Sequence, residues 1–266
     1  MRLRTASLCC AMLGPMLPAS TPADLPVRLQ AHVRTLSERF VPRDHAHPQN
    51  LDRAAAYIGA HYDSAGPLPA ADDNASGVAG LIELAHLLGA APPPMRIELV
   101  AYSLEEPPHF GTQKMGSAVH AQSLRRDGVR VRAMFSLEMI GYFTDAPDSQ
   151  RFPVDALRLL YPSEGNFIAV VGKLGQGGLV RRIERSMRAA SPLPAHSSAA
   201  PRSLPGVGLS DHASYWDAGY PAVMITDTAF FRNPNYHTER DTADTLDYAR
   251  MAMVVRGVHA AVLGLM

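Results

Sequence analysis

With 266 residues the chain is long enough for one sizeable domain with a real core, and nothing in its length requires two. Its 25 basic and 25 acidic residues cancel, which gives no electrostatic reason for nucleic acid or an anionic membrane as a partner. No apolar run in the mature part is long enough to span a bilayer.

Residues 1–20 carry Arg2 and Arg4, a weakly apolar core broken by Pro15, and small residues at Ala19 and Ser20. That is the outline of a signal peptide or leader. Both cysteines, Cys9 and Cys10, fall inside it, so a cleaved chain has no disulfide and no thiolate ligand. The expectation is an exported protein, periplasmic or secreted, if the leader is removed, and a cytoplasmic one otherwise. Residues 21–58 read as an N-terminal helical segment. Leu25, Leu29, Val33 and Leu36 share a helix face within Asp24–Phe40, a Pro/His-rich turn covers 41–49, and Asn50 or Asp52 caps a second helix through Ala56.

The apolar run Ala54–Ala60 ends a strand and opens into HYDSAGPLPAADDNASG, His61 to Gly77, followed by a helix with Val78, Leu81, Ile82, Ala85 and Leu88 on one face. Open α/β sheets place ligands in such polar loops at the carboxyl ends of their strands. His61 with Asp63, Asp72 and Asp73 offers nitrogen and oxygen donors suited to zinc. Arg96–Tyr102 is a strand that enters the turn SLEEPPHFGT with Glu105 and Glu106. Lys114–Asp127 is a helix, and Val129–Met139 a strand that ends beside Glu138. A strand at Asn166–Gly172 and a helix to Ala190 follow, and Ser191–Gly208 reads as the longest loop. A short helix at Asp211–Gly219 precedes the strand Ala222–Thr226, a loop holding His237, and a last helix with Met251, Val254, Val255, Val258 and Val262 on one face. Strands alternate with helices, so the expected fold class is α/β, a mostly parallel or mixed sheet sandwiched by helices. Glu105, Glu106, Glu138 and His237 all follow strand ends on the edge that carries the His61 loop. Each alone is a weak signal, and their joint placement proposes a metal site. Ser210, Asp211 and His212 are adjacent but do not make a serine-hydrolase triad, because no G-x-S-x-G elbow accompanies them.

The segments GAHYDS, ADDNASG, SLEEPPHFGT with Gly116–Ser117, SLEMIGY, SDHASYWDAGYPA and YHTERDT occur in that order. From about Gly59 to the C-terminus the sequence resembles the co-catalytic zinc aminopeptidases of metallopeptidase family 28, which also includes glutamate carboxypeptidase-like and glutaminyl cyclase-like members. The resemblance implies a zinc-exopeptidase architecture over 59–266, a peptide substrate and two Zn2+ ions. By motif, His61 and Glu138 bind the first ion, Glu106 and His237 the second, and Asp73 bridges them. Asp63 orients the His61 imidazole. Glu105 is the general base and the Tyr236 hydroxyl stabilises the oxyanion. The implied activity is release of N-terminal residues. A single-zinc, glutaminyl cyclase-like acyltransferase and a non-catalytic remnant are the alternatives.

Two departures from the family pattern stand out. Glu138 occupies a position where aspartate is usual, and its longer arm bears on which end of a peptide is recognised. Family members also place several strands between the helix matching LDRAAAYI and the strand before GAHYDS, whereas here Tyr57-Ile58 runs straight into Gly59. The N-terminal part of the sheet is therefore expected to be truncated by roughly forty to fifty residues, the length of a few short strands with their turns.

Overall fold

The structure, a computed structural model, describes residues 24–39, 60–93 and 97–265. The leader, the 41–49 turn and the second helix near 50–56 lie outside them. In chain order the elements are α1 (Leu25–Arg34), β1 (Ala60–His61), α2 (Gly77–Ala90), β2 (Ala101–Tyr102), α3 (Gly116–Arg126), β3 (Met134–Glu138), β4 (Ile168–Lys173), α4 (Gly177–Ala190), β5 (Ala195–Ala200), α5 (His212–Asp217), β6 (Ala222–Thr226) and α6 (Tyr248–Leu263). A four-stranded sheet runs in the order β3-β6-β4-β5. β3 is parallel to β6 and β4 to β5, while β4 is antiparallel to β6, so the sheet is mixed. β1 and β2 pair in parallel over two residues each, and β1 packs against β3.

Side chains alternate across the sheet. Leu137, Ile168, Val170, Val223 and Ile225 face a layer of α1, α2, α4 and α6. Met134 and Ala222 face α3 and α5, where Tyr215 and Trp216 pack; Trp216 donates its indole N–H to the Ala222 carbonyl at 2.9 Å. The helix faces expected for α1 and α6 are the buried ones, Leu25, Leu29 and Val33 on the first and Met251, Val254, Val255 and Val258 on the last. Gly257 lets α6 approach α4, because a Cβ there would sit 3.2 Å from the Met187 side chain.

Three sequence expectations change. Ser191–Gly208 is not one loop, because it contains the edge strand β5. Its sequence AHSSAA has no β-branched or aromatic residue, so local propensity is silent and the strand exists through its ladder with β4. Among the described residues, the strands expected at Arg96–Tyr102 and Val129–Met139 pair only over Ala101–Tyr102 and Met134–Glu138. Residues 97–100 and 129–133 flank a largely apolar slot of about 400 Å³, with Ala60 on its wall and Leu84, Leu99, Val100, Phe135 and Val258 around it.

The α2 face differs as well. Ala85 is exposed, and Glu83, a charged residue, is fully buried. Arg28 of α1 donates to both Glu83 carboxylate oxygens, at 3.0 Å from Nε and 2.6 Å from Nη2, and His32 approaches at 3.2 Å. Burial pushes the Glu83 carboxyl upward, but the bonds from His32 and Arg28 outweigh it and hold its pKa at about 2, below the ordinary 4.5. The folded value is depressed, so this stabilisation is complete above about pH 4.5 and is lost as pH falls from there through about 2. Arg28→Met leaves a buried carboxylate with only a partly exposed histidine as partner. It is expected to cost about 3 kcal/mol in urea unfolding, more than Glu83→Gln, which leaves Arg28 able to hydrate. Among the described residues no helix is long and apolar enough to cross a membrane.

Candidate metal centre

The carboxyl ends of β1, β2, β3 and β6 carry the acidic and histidine side chains to one place. His61 ends β1 and Glu138 ends β3; Glu105 and Glu106 follow β2; His237 lies in the loop after β6, and Asp73 in the loop that leads into α2. His61 Nε2 stands 3.4 Å from Asp73 Oδ1 and 3.4 Å from Glu138 Oε2. His237 Nε2 stands 3.0 Å from Asp73 Oδ2 and 3.4 Å from Glu106 Oε1. The donors therefore form two triads, His61–Asp73–Glu138 and Asp73–Glu106–His237, which share Asp73 through its two oxygens. Zinc bonds of about 2.0–2.2 Å set the edge of a ligand tetrahedron near 3.4 Å. Three of the four separations above match it, the fourth is shorter at 3.0 Å, and all donor atoms of a triad lie within 4.8 Å of one another.

Among the described residues, several atoms of the cluster also lack hydrogen-bond partners. His61 Nδ1 and Nε2, Glu106 Oε1 and His237 Nε2 are buried without a hydrogen bond. Orphaned buried polar atoms are rare and costly, which makes a cation at their convergence the economical explanation. Charge points the same way. Asp63, Asp73, Glu105, Glu106, Glu138 and Asp211 surround two histidines, and no lysine or arginine among the described residues forms an ion pair with them. Without a cation the cluster must hold protons instead. Burial, reinforced by neighbouring carboxylates, pushes Glu105 well above the usual carboxylate range and Glu106 and Asp211 to about 7. The residues fit zinc in donor type, spacing and charge.

Backbone contacts tie the ligand-bearing loops together. Asp241, buried in the turn after His237, accepts the Asp72 N–H at 3.0 Å and the Asp73 N–H at 3.1 Å through separate oxygens. Asn74 accepts the Met139 N–H at 3.1 Å and donates to the Leu137 carbonyl at 2.8 Å, holding the Asp73 loop to the end of β3. Asp72 takes the Gly141 N–H at 3.0 Å and the Asn233 side-chain amide at 2.8 Å. It points away from the donor triads, into this frame. Leu104, Met139 and His237 hold left-handed backbone at φ 60°, 52° and 54° beside or at the donors. Strain of that kind persists where surrounding structure enforces it.

The remaining sequence candidates fall into place around the triads. Asp63 Oδ1 lies 3.6 Å from His61 Nδ1, and its other oxygen accepts the Glu106 N–H at 3.1 Å. One carboxylate thus anchors the Glu106 backbone and faces the His61 ring. Glu105 Oε2 stands 3.9 Å from His61 Nε2 and belongs to neither triad. Tyr236 stacks on the His237 ring at 3.8 Å, and burial beside Asp73, Glu106 and Glu138 keeps its hydroxyl protonated. Ser210, which the sequence gives no role beyond the dismissed triad, donates to Glu138 Oε2 at 2.7 Å. Asp211 is buried next to these carboxylates. His212 is a core histidine, edge-on to Trp216 and within 2.8 Å of the Val207 carbonyl, with burial holding its pKa near 4.

A cavity of about 140 Å³ opens beside the donors, with Glu138 and Tyr236 at one end and Phe152, Phe167, Phe231 and Met224 among its walls. A mixed sheet, flanking helices, converging strand ends and two zinc-compatible triads beside an apolar pocket together define an α/β protein with a candidate two-metal centre at its strand ends.

Comparison with known proteins then gives the family. The model for peptidase family M28 matches residues 45–262, and the chain belongs to that family. It is 41% identical to the uncharacterized protein YfbL of Escherichia coli K12, over 91% of this chain and 89% of YfbL. That alignment runs over 290 positions, whereas 91% of 266 residues is about 242, so about 48 positions of YfbL have no counterpart here. The aminopeptidase of Aneurinibacillus sp. strain AM-1 superposes with a TM-score of 0.55 at 27% identity, covering 77% of this chain and 42% of that one. The glutaminyl cyclase of Fimbriiglobus ruber gives a TM-score of 0.65 at 17% identity over 90% and 95% of the two chains, a likeness of fold. The chain spans about half the length of the curated aminopeptidases it matches.

Proposed function

We propose that the protein is a dizinc aminopeptidase that removes N-terminal residues from peptides. The observation that carries this reading is the pair of triads sharing Asp73, with Glu105 beside them and outside both. His61 and Glu138 would hold one ion and Glu106 and His237 the other, with one Asp73 oxygen available to each triad. When bound, a zinc pair lowers the pKa of a water and polarises the scissile carbonyl. Glu105, beside the donors and outside both triads, would take a proton from the attacking water as it adds to the carbonyl and give it to the amine as the C–N bond breaks. The protonated Tyr236 hydroxyl donates to the developing oxyanion.

Charge favours the N-terminal end of a substrate. Asp63, Glu105 and Asp211 lie buried around the triads, and among the described residues no lysine or arginine forms an ion pair with them, so the site offers acceptors to a substrate ammonium and no side-chain cation to a C-terminal carboxylate. The apolar cavity next to Glu138 and Tyr236 receives the side chain of that first residue. A glutaminyl cyclase-like enzyme is supported by the near-equal length of the Fimbriiglobus ruber protein, but five donors in two triads exceed what a single zinc uses.

The test is hydrolysis of a panel of aminoacyl-p-nitroanilides by zinc-loaded protein, run beside cyclisation of an N-terminal glutaminyl peptide. Chelator-sensitive release of p-nitroaniline from apolar residues is the expected result. Cyclisation without release would move the assignment to the cyclase class, and neither activity would mark a remnant.

A further inference from the structure

The floor of the cavity beside the metal centre is a single row of residues across the sheet. Glu138 of β3 is in register with Thr226 of β6, Thr226 with Ala169 of β4, and Ala169 with His196 of β5. All four line the cavity. Register partners in neighbouring strands share a face of the sheet, so the row runs from a proposed zinc ligand at one end to an imidazole at the other. Three strand spacings make it about 14 Å long. Its two middle positions carry short side chains, Thr226 and Ala169, and the space above them is the cavity.

His196 is the feature that an apolar pocket does not need. Its ring stands edge-on to Phe167 at 5.0 Å and to Tyr161 at 6.0 Å. Among the described residues its nitrogens make no hydrogen bond, since the Tyr161 hydroxyl is spent on the Ser197 carbonyl at 3.0 Å. Burial lowers its pKa, so near neutral pH the ring is uncharged and offers both a donor and an acceptor. The walls are aromatic and aliphatic: Phe152, Phe167, Phe231, Met224 and Val171. Arg151 also reaches the lining, but its guanidinium donates to the Phe230 carbonyl at 2.6 Å. A flat apolar side chain with one neutral hydrogen-bonding group at its tip matches this sequence of surfaces. Tyrosine is the amino acid with that chemistry.

Resting on the aminopeptidase reading above, we propose that His196 is a specificity-determining residue which receives the phenol of an N-terminal tyrosine lying along the Glu138–Thr226–Ala169–His196 row. The amino group and scissile carbonyl of such a substrate sit over the donor triads, its ring crosses Thr226 and Ala169 between Phe167 and Met224, and its hydroxyl meets the imidazole. Phenylalanine fills the same walls but leaves the imidazole unpaired, so it binds more weakly. Lysine brings a charge to a pocket end without a carboxylate, and leucine stops short of His196.

The test is calorimetric binding of tyrosine amide and phenylalanine amide to the zinc-loaded full chain, alongside kcat/KM for the tyrosyl, phenylalanyl and leucyl p-nitroanilides. The expected result is about tenfold tighter binding and a similarly higher kcat/KM for tyrosine over phenylalanine, the worth of one good hydrogen bond. His196→Phe should abolish that ratio while leaving kcat/KM for the leucyl substrate within about twofold, and His196→Gln, which keeps a donor and an acceptor, should restore part of it. Equal binding of the two amides to the wild type, or a ratio unchanged in His196→Phe, overturns the assignment even if leucyl and phenylalanyl substrates are cleaved. Failure to hydrolyse any member of the panel overturns the aminopeptidase reading, and this inference with it.

Discussion

Glu105→Gln is expected to lower kcat about a thousandfold and to leave the zinc content of the protein unchanged. The magnitude is that of removing a positioned proton carrier from a hydrolytic site. Both halves follow from geometry. Glu105 lies 3.9 Å from His61 Nε2 but supplies no atom to either donor triad, so an isosteric amide has no ligand to withdraw. The same position suits a base, because its carboxylate stands beside the donors without being one of them. Elemental analysis and turnover must be measured on one preparation. Retained turnover would show that another group carries the proton, with Asp211, equally buried, as the nearest substitute. Lost zinc would show that Glu105 is a ligand and that the division between the triads and the base is wrong. Circular dichroism of the variant separates either result from misfolding.

The donor set was legible in the sequence because the chemistry sits at strand ends. A parallel strand pair delivers whatever follows each strand to the same edge, so His61, Glu106, Glu138 and His237 could be grouped before any contact was known. The frame that holds them was less legible. Asp241 lies inside the YHTERDT segment, yet its role comes from accepting two backbone N–H groups some 170 residues earlier in the chain, a relation that no local pattern encodes. Glu83 escaped for the same reason. Helical spacing places it near the apolar face, and only the arrival of Arg28 and His32 from α1 explains why a carboxylate is buried there. β5 was misread because Ala and Ser carry no strand signal, and the error hid His196 in a supposed loop. Where a residue's role is set by its own neighbours in the chain the sequence announces it; where it is set by a partner across the fold, the sequence is silent.

Asp73→Ala is expected to remove both zinc ions, whereas His237→Ala removes one. Asp73 is the only donor common to the two triads, with Oδ1 facing His61 and Oδ2 facing His237, so its loss takes one ligand from each site and leaves the buried Glu106 and Glu138 short of a donor set for a cation. His237→Ala leaves His61, Asp73 and Glu138 intact around their ion. Asp241→Asn tests the frame rather than the donors. An amide nitrogen facing the Asp72 or Asp73 N–H breaks one bond and opposes another hydrogen, which loosens the loop that positions the bridge. Loss of such an outer partner is expected to weaken zinc binding by about 10–100-fold. Competition against a chromogenic chelator measures all three variants, and the ligand-field bands of the cobalt-substituted protein report whether the remaining ion keeps its tetrahedral surroundings. Two ions retained in Asp73→Ala would refute the shared bridge. Unchanged affinity in Asp241→Asn would mean that Asn74 and the end of β3 fix Asp73 without help from the His237 loop.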